Sequence, residues 1–143
     1  MRISNLLTAK GSSVATIAPG ETVSEAVSEL KKHAVGALVV STDGRHIEGI
    51  VSERDIVRQL AERASTLLED TVSSIMSPHV TTCSPDDDIE SLMSTMTERR
   101  IRHVPVVRDG ELCGIVSIGD VVKNRIDELE KDRNELVDYI NAR

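Results

Sequence analysis

Most of this chain is written twice. Displaced by 66 positions, Val14 meets Val80, Thr16 meets Thr82 and Pro19 meets Pro85. The apolar set Val23, Ala26, Val27 and Leu30 meets Ile89, Leu92, Met93 and Met96, and Asp43-Gly44 meets Asp109-Gly110. One residue then drops out. At a displacement of 65, Gly49-Ile50-Val51-Ser52 meets Gly114-Ile115-Val116-Ser117, Asp55 meets Asp120, and Val57 meets Val122. Turns, apolar phases and a tetrapeptide held in one register mean two copies of one structural unit.

Each copy reads as strand, helix, strand, strand, helix. A short apolar strand (residues 14–17 and 80–83) leads into a Pro-containing turn. A helix follows, its apolar positions falling on one face. Thr22 with Glu25 forms a capping box in the first copy, and Asp88 is the N-cap in the second. Two β-rich runs flank each Asp-Gly pair, residues 37–40 with 47–51 and residues 104–107 with 112–116. Asp-Gly is a hairpin signal because both central turn residues need positive φ. A second helix starts after Ser52 and after Ser117.

A unit of about 60 residues buries only a marginal share of its surface. Its strands are also apolar on both faces, and packing two such units sheet to sheet relieves both problems, with pseudo-twofold symmetry and clefts between the halves. The expected division is a first unit with its N-terminal segment (1–66), a second unit (67–125) and a C-terminal helical extension (126–143), with residues 63–70 as linker. The fold class is α+β. After Gly119 the chain has neither Gly nor Pro, and Val122, Ile126, Leu129, Leu136 and Ile140 fall on one helical stripe, with Arg133 filling its gap. Either this helix folds back on its own unit or it packs against a second subunit. The reach of the stripe beyond the repeat favours the subunit.

Charge and composition exclude several functions. The net charge is −7, which repels nucleic-acid phosphates, and the one basic cluster, Arg99-Arg100-Ile101-Arg102-His103, is too short for a duplex-binding face. Trp and Phe are absent and Tyr139 is the single tyrosine, so a planar ligand must be gripped by aliphatic side chains. No apolar run approaches the ~20 residues of a membrane span. The segment Met1–Asn5 lacks a signal-peptide apolar region, and Cys83 and Cys113 form no CxxC pair. Reduced thiols in the cytoplasm are therefore expected, with a Cys83–Cys113 disulfide as the alternative. His33, His46, His79 and His103 lack metal-ligand spacing. No P-loop, GxGxxG or nucleophile–base constellation occurs, so no catalysis is expected. Asp86-Asp87-Asp88 sits at a helix start, where capping and the dipole account for it.

The chemistry concentrates where each tetrapeptide ends: Ser52-Glu53-Arg54-Asp55 and Ser117-Ile118-Gly119-Asp120. Here a strand gives way to a helix. Ser is a good N-cap and Asp complements the N-terminal dipole, which explains either copy structurally. The same geometry offers unpaired N–H groups and partial positive charge to a phosphate. A carboxylate three residues in can accept both hydroxyls of a ribose. Its occurrence twice, each time after Gly-Ile-Val, points to two related sites.

These residues carry a family resemblance. The chain resembles a tandem CBS domain protein, the family named after cystathionine β-synthase. The resemblance covers residues 1 to about 125 and rests on four motifs: Gly-Ile-Val-Ser-Glu-Arg-Asp-Ile (49–56), Ser-Ile-Met-Ser-Pro (74–78), His-Val-Pro-Val-Val (103–107) and Gly-Ile-Val-Ser-Ile-Gly-Asp-Val (114–121). It implies a regulatory module that binds an adenosine nucleotide between its units, AMP foremost, with ADP, ATP, NAD(H) or S-adenosylmethionine as other ligands. It also implies a disc-like homodimer that passes a conformational signal to a partner protein.

Carried over by position, the resemblance assigns ribose to Asp55 and Asp120, phosphate or ribose to Ser52 and Ser117, and the adenine face to Ile50 and Ile115. Ser77, Thr81, Ile101, Arg102 and His103 would complete the Asp55 cleft. Lys10, Ala15, Val35, Gly36 and Ala37 would complete the Asp120 cleft. Arg54, Arg102 and His103 are the cations expected to meet phosphate at the first cleft, Lys10 at the second. Arg54 aligns with Gly119 and Arg102 with Gly36, so the clefts are unequal, with room over Gly36 for a larger adenosyl group. The competing reading is a dimerising scaffold with degenerate sites, in which the C-terminal helix is the working surface.

Overall fold

The computed structural model describes residues 1–142, so Arg143, at the end of the expected extension, lies outside the described residues. The chain order is α1 (Ile3–Lys10), β1 (Thr16–Ile17), α2 (Val23–His33), β2 (Ala37–Val40), β3 (Gly49–Ser52), α3 (Glu53–Arg63), a 3-10 turn (Leu67–Glu69), α4 (Val72–Ile75), α5 (Ile89–Arg99), β4 (His103–Arg108), β5 (Glu111–Ser117) and α6 (Ile118–Asn141). The α+β class is as the repeat predicts, with α1, the 3-10 turn and α4 added to the expected order. In the first unit β1 runs parallel to β2, and β2 pairs antiparallel with β3. In the second, β4 and β5 form an antiparallel pair.

Three local expectations fail for identifiable reasons. The strand expected at residues 80–83 shrinks to one parallel bridge between Cys83 and Val106. In the first unit the Val39 N–H donates to the Ala15 carbonyl (3.2 Å). The repeat puts Pro105 at the Val39 position, and proline has no N–H to give. The Asp109-Gly110 turn has positive φ at both residues (53° and 78°), as a two-residue hairpin requires, but at Asp43-Gly44 only Gly44 does (75°). Asp43 instead accepts the Arg45 and His46 N–H groups (2.8 Å each), and this side-chain turn widens the connection to residues 41–48. Last, Thr22 Oγ1 caps the Glu25 N–H (3.1 Å), whereas Asp88 makes no side-chain cap. The Ile89 N–H at that helix start goes to the Met1 carbonyl (3.0 Å).

That last bond belongs to an exchange between the units. Ile3 and Ser4 donate to the carbonyls of Asp87 and Pro85 (2.9 Å each), while Val72 and Ser73 donate to those of Glu21 (2.8 Å) and Pro19 (3.0 Å). Isolated bridges Arg2–Asp88 and Thr22–Thr71 complete the correspondence. The acceptors keep the displacement of 66, but the donors are displaced by 69. Each unit's leading helix thus docks on the other unit. Ile3, Leu6 and Leu7 are buried in one core with Ile89, Leu92, Met96, Val104 and Val116. Leu67, Val72 and Ile75 are buried in the other with Val23, Leu30, Leu38, Val40 and Val51. Leu67, inside the expected linker of residues 63–70, therefore supplies core, and the packing crosses the sequence division at residues 66 and 67.

Two glycines let the exchanged helices approach. A Cβ on Gly49 would lie 2.5 Å from Met76 Sδ and 2.9 Å from the Ser77 carbonyl oxygen. A Cβ on Gly114 would meet only the tip of Leu7, at 2.8 and 2.9 Å. The Leu7 tip can rotate aside, but the Ser77 backbone cannot. Gly49→Ala is therefore expected to cost about 1–3 kcal/mol, and Gly114→Ala distinctly less, in parallel urea melts.

Candidate functional site

Both Ser-x-x-Asp segments form complete capping boxes at strand-to-helix junctions. Ser52 Oγ accepts the Asp55 N–H (3.3 Å) while Asp55 Oδ2 accepts the Ser52 N–H (2.9 Å). Ser117 Oγ accepts the Asp120 N–H (3.2 Å) while Asp120 Oδ2 accepts the Ser117 N–H (2.8 Å). The Glu53 N–H donates to the Gly36 carbonyl (3.0 Å), and in the second unit the Ile118 N–H donates to that of Arg102 (2.8 Å). Each helix start is thereby fixed against its own unit's strand entry, and the carboxylate beside it is held in one orientation.

A cleft of about 370 Å³ opens at the first junction, within the range of small-molecule sites. Ile50, Ser52, Arg54 and Asp55 line it from the first unit, and Ser77, Thr81, Ile101, Arg102 and His103 from the second. All nine residues expected at the Asp55 cleft thus come together. Ile50 and Ser77 are joined by reciprocal backbone bonds (2.9 and 3.0 Å), which extend the first sheet to the cleft edge.

The same wall carries residues the motifs did not assign: Glu53, Arg58, His79, Val80, Arg99 and Arg100. Arg58 lies four residues after Arg54, one helical turn on. Arg99 donates to Thr81 Oγ1 (3.2 Å). Five arginines and two histidines line this cleft with two acidic residues, in a chain whose net charge is −7. The basic run at residues 99–103 is the rim of this cleft.

Gly36, which the resemblance assigns to the Asp120 cleft, is on this wall too. A Cβ there would lie 3.2 Å from the His103 ring, so the imidazole fills the room expected above the glycine. Burial pushes the His103 pKa below its ordinary value of 6.5, outweighing the opposite pull of Glu53 and Asp120. His103 is therefore neutral at pH 7 in the folded chain. Since unfolding restores its ordinary basicity, the unfolded state binds more protons as pH falls, and stability drops with it. His103→Gln is expected to flatten the decline in melting temperature between about pH 7 and about pH 5; an unchanged pH profile would count against this.

The Asp120 side is built differently. Lys10 Nζ donates to Asp120 Oδ2 (2.6 Å) and to the Ile115 carbonyl (2.7 Å). Burial alone would raise the Asp120 pKa, but the Lys10 ammonium and the Ser117 hydrogen bonds outweigh it and hold the carboxyl below the ordinary range. Ser117 caps α6 beside them. Ala15 and Val35 pack against the first core, and Ala37 is buried in β2.

Sequence and fold match known proteins. The CBS domain family model matches residues 10–62 and again residues 72–127. The chain belongs to the CBS domain family. It is 36% identical over 126 residues to the CBS domain-containing protein CBSX3, mitochondrial, of Arabidopsis thaliana, covering 85% of this chain and 61% of that protein, so it spans about three fifths of this relative. A CBS-domain containing protein from Agrobacterium tumefaciens has a structure with a TM-score of 0.84 and 41% identity, over 87% of this chain and 99% of that one. A CBS domain protein from Pyrobaculum aerophilum, solved in complex with AMP, has a TM-score of 0.75 and 33% identity, over 84% of this chain and 89% of that one.

Proposed function

We propose that this chain is a regulatory module that binds an adenosine nucleotide in the Asp55 cleft and passes the resulting conformational bias to a partner protein. The observation that carries this is one cleft joining a ribose-type carboxylate, aliphatic side chains and five guanidinium groups. Asp55 takes the ribose hydroxyls. Ile50 and Ile101 sandwich the adenine, which fits a chain with no Trp or Phe. Ser52 and the N–H groups of α3 meet the first phosphate. The arginines meet the rest, through planar donor forks suited to phosphate oxygens. The AMP-bound Pyrobaculum relative supports an adenosyl ligand. Among the described residues no helix is long and apolar enough to cross a membrane, and no group of His, Cys, Asp and Glu is arranged for a metal ion.

The charge in the cleft sets an order. ADP and ATP bind more tightly than AMP, and AMP more tightly than adenosine or the cationic S-adenosylmethionine. Thermal unfolding with each ligand at equal concentration tests this, repeated at high salt, which screens the phosphate contacts most. Larger shifts with more phosphates, shrinking in salt, support the reading. Equal shifts for adenosine and ATP contradict it.

The module works as a homodimer. On α6, Val122, Ile126, Leu129, Leu136 and Ile140 are each about half exposed, so the chain does not cover its own stripe. A second copy brings an identical stripe, as an isologous interface requires. Leu129→Asp with Leu136→Asp is expected to convert dimer to monomer in light scattering while leaving the nucleotide response intact. A dimer unaffected by both substitutions would place the interface elsewhere.

A further inference from the structure

We infer that Lys10 is a built-in competitor that closes the Asp120 cleft to nucleotide, so that each chain takes one nucleotide and not two. This rests on the Asp55 cleft being a nucleotide site, and it follows from where the pseudo-symmetry breaks.

In the first unit, α4 ends at Ile75 and the chain straightens, so that the backbone of Ser77 pairs with both polar groups of Ile50. At the displacement of 69 that relates the exchanged helices, Thr8 stands where Ser77 does and Lys10 where His79 does. But α1 does not end early; it runs on through Lys10. No straightened segment is left to pair with Ile115, and the Lys10 side chain does that work. Its ammonium takes the Ile115 carbonyl, the counterpart of the Ile50 carbonyl that accepts the Ser77 N–H, and reaches Asp120 as well. The residues that follow, Gly11-Ser12-Ser13, have no counterpart in the second copy, and Gly11 has a positive φ of 99° that an L side chain rarely adopts. They take up the slack of the longer helix.

The consequence for binding is specific. At Asp55 the hydrogen bonds come from Ser52, through its N–H (2.9 Å) and hydroxyl (3.0 Å), both part of the helix cap. Asp120 accepts its own Ser117 N–H in the same way (2.8 Å), but the same Oδ2 also holds the ammonium of Lys10 from another element (2.6 Å). A ribose presented to Asp120 would have to displace an ammonium that neutralises the carboxylate, and hydroxyls are weaker donors to it than a cation is. An adenine edge at Ile115 would meet the same ammonium.

Calorimetric titration of the full chain with ADP tests this in four forms: wild type, Lys10→Ala, Asp55→Ala and the double variant. One site is expected in wild type, none in Asp55→Ala, two in Lys10→Ala and one in the double variant. Two sites in wild type, or one in Lys10→Ala, overturns the inference while leaving the Asp55 cleft as a nucleotide site. A wild-type second site that Lys10→Ala weakens also overturns it, because Lys10 then serves phosphate. No binding by any form overturns the nucleotide reading itself. A nucleotide-free readout checks that Lys10→Ala acts through the latch: mapped acetylation of wild type should leave Lys10 less modified than exposed Lys31 and Lys32, and Asp120→Asn should raise Lys10 to their level. Equal modification of all three in wild type counts against the latch.

Discussion

A chain lacking residues 1–10 is expected to lose cooperative folding of its second unit, although every residue of that repeat remains. The deletion takes Ile3, Leu6 and Leu7 out of the second core, where Ile3 is fully buried. Fully burying one such side chain contributes about 1.5–3 kcal/mol, so three approach the 5–15 kcal/mol by which a domain is stable at all. The deletion also removes the partners of the Ile89 N–H and of the Pro85 and Asp87 carbonyls. Urea unfolding followed by circular dichroism should show a shallow or divided transition. The milder Ile3→Ala keeps the backbone and is expected to cost about 2–5 kcal/mol. A deletion that unfolds as cooperatively as wild type, at the same midpoint, would mean that the exchanged helix does not hold the second core. By the same packing, a fragment ending at residue 66 should not fold, because Leu67, Val72 and Ile75 complete its core.

Asp55→Ala is expected to abolish the stabilisation that nucleotide gives. Ligand at about 100 times its dissociation constant adds about 2.7 kcal/mol to wild type at one site. The variant also loses the carboxylate half of its capping box, while Ser52 stays as N-cap, so each protein is compared with itself, with and without ADP. Asp120→Ala loses the equivalent carboxylate of its capping box and serves as the control; it is expected to be less stable and to keep its response to ADP. A response lost equally in both variants would show that the caps matter only for the fold. A response retained in Asp55→Ala would remove Asp55 from the site.

The repeat made the unit order and the strand-to-helix junctions legible, because these depend on local periodicity and on the Ser-x-x-Asp spacing. The nine residues of the Asp55 cleft, on two units, came from the family resemblance carried over by position and not from spacing within this chain. The exchange of leading helices was harder to read. Ile3, Leu6 and Leu7 match Val72, Ile75 and Met76 only at a displacement of 69, and the three residues Gly11–Ser13 interrupt the main register. Arg58, Arg99 and Arg100 entered the cleft unassigned because a charged residue on a helix is ordinarily a solvated one; only tertiary packing turns these three toward one space. Gly36, which the resemblance assigns to the Asp120 cleft, also lines the Asp55 cleft under the His103 ring, a tertiary contact that aligning the two copies does not reveal. Pro105 is the simplest case, since a missing N–H was visible in the sequence and its effect on the neighbouring strand follows from it.

The most direct test of the central claim is an amide NMR titration of the full chain with ADP. The account predicts saturable shifts concentrated at Ile50, Ser52, Asp55, Ser77 and Ile101–His103, with the Asp120 side responding only weakly. Absence of saturable shifts, or shifts centred on the α6 stripe, would contradict it and favour a dimerising scaffold whose clefts bind no nucleotide.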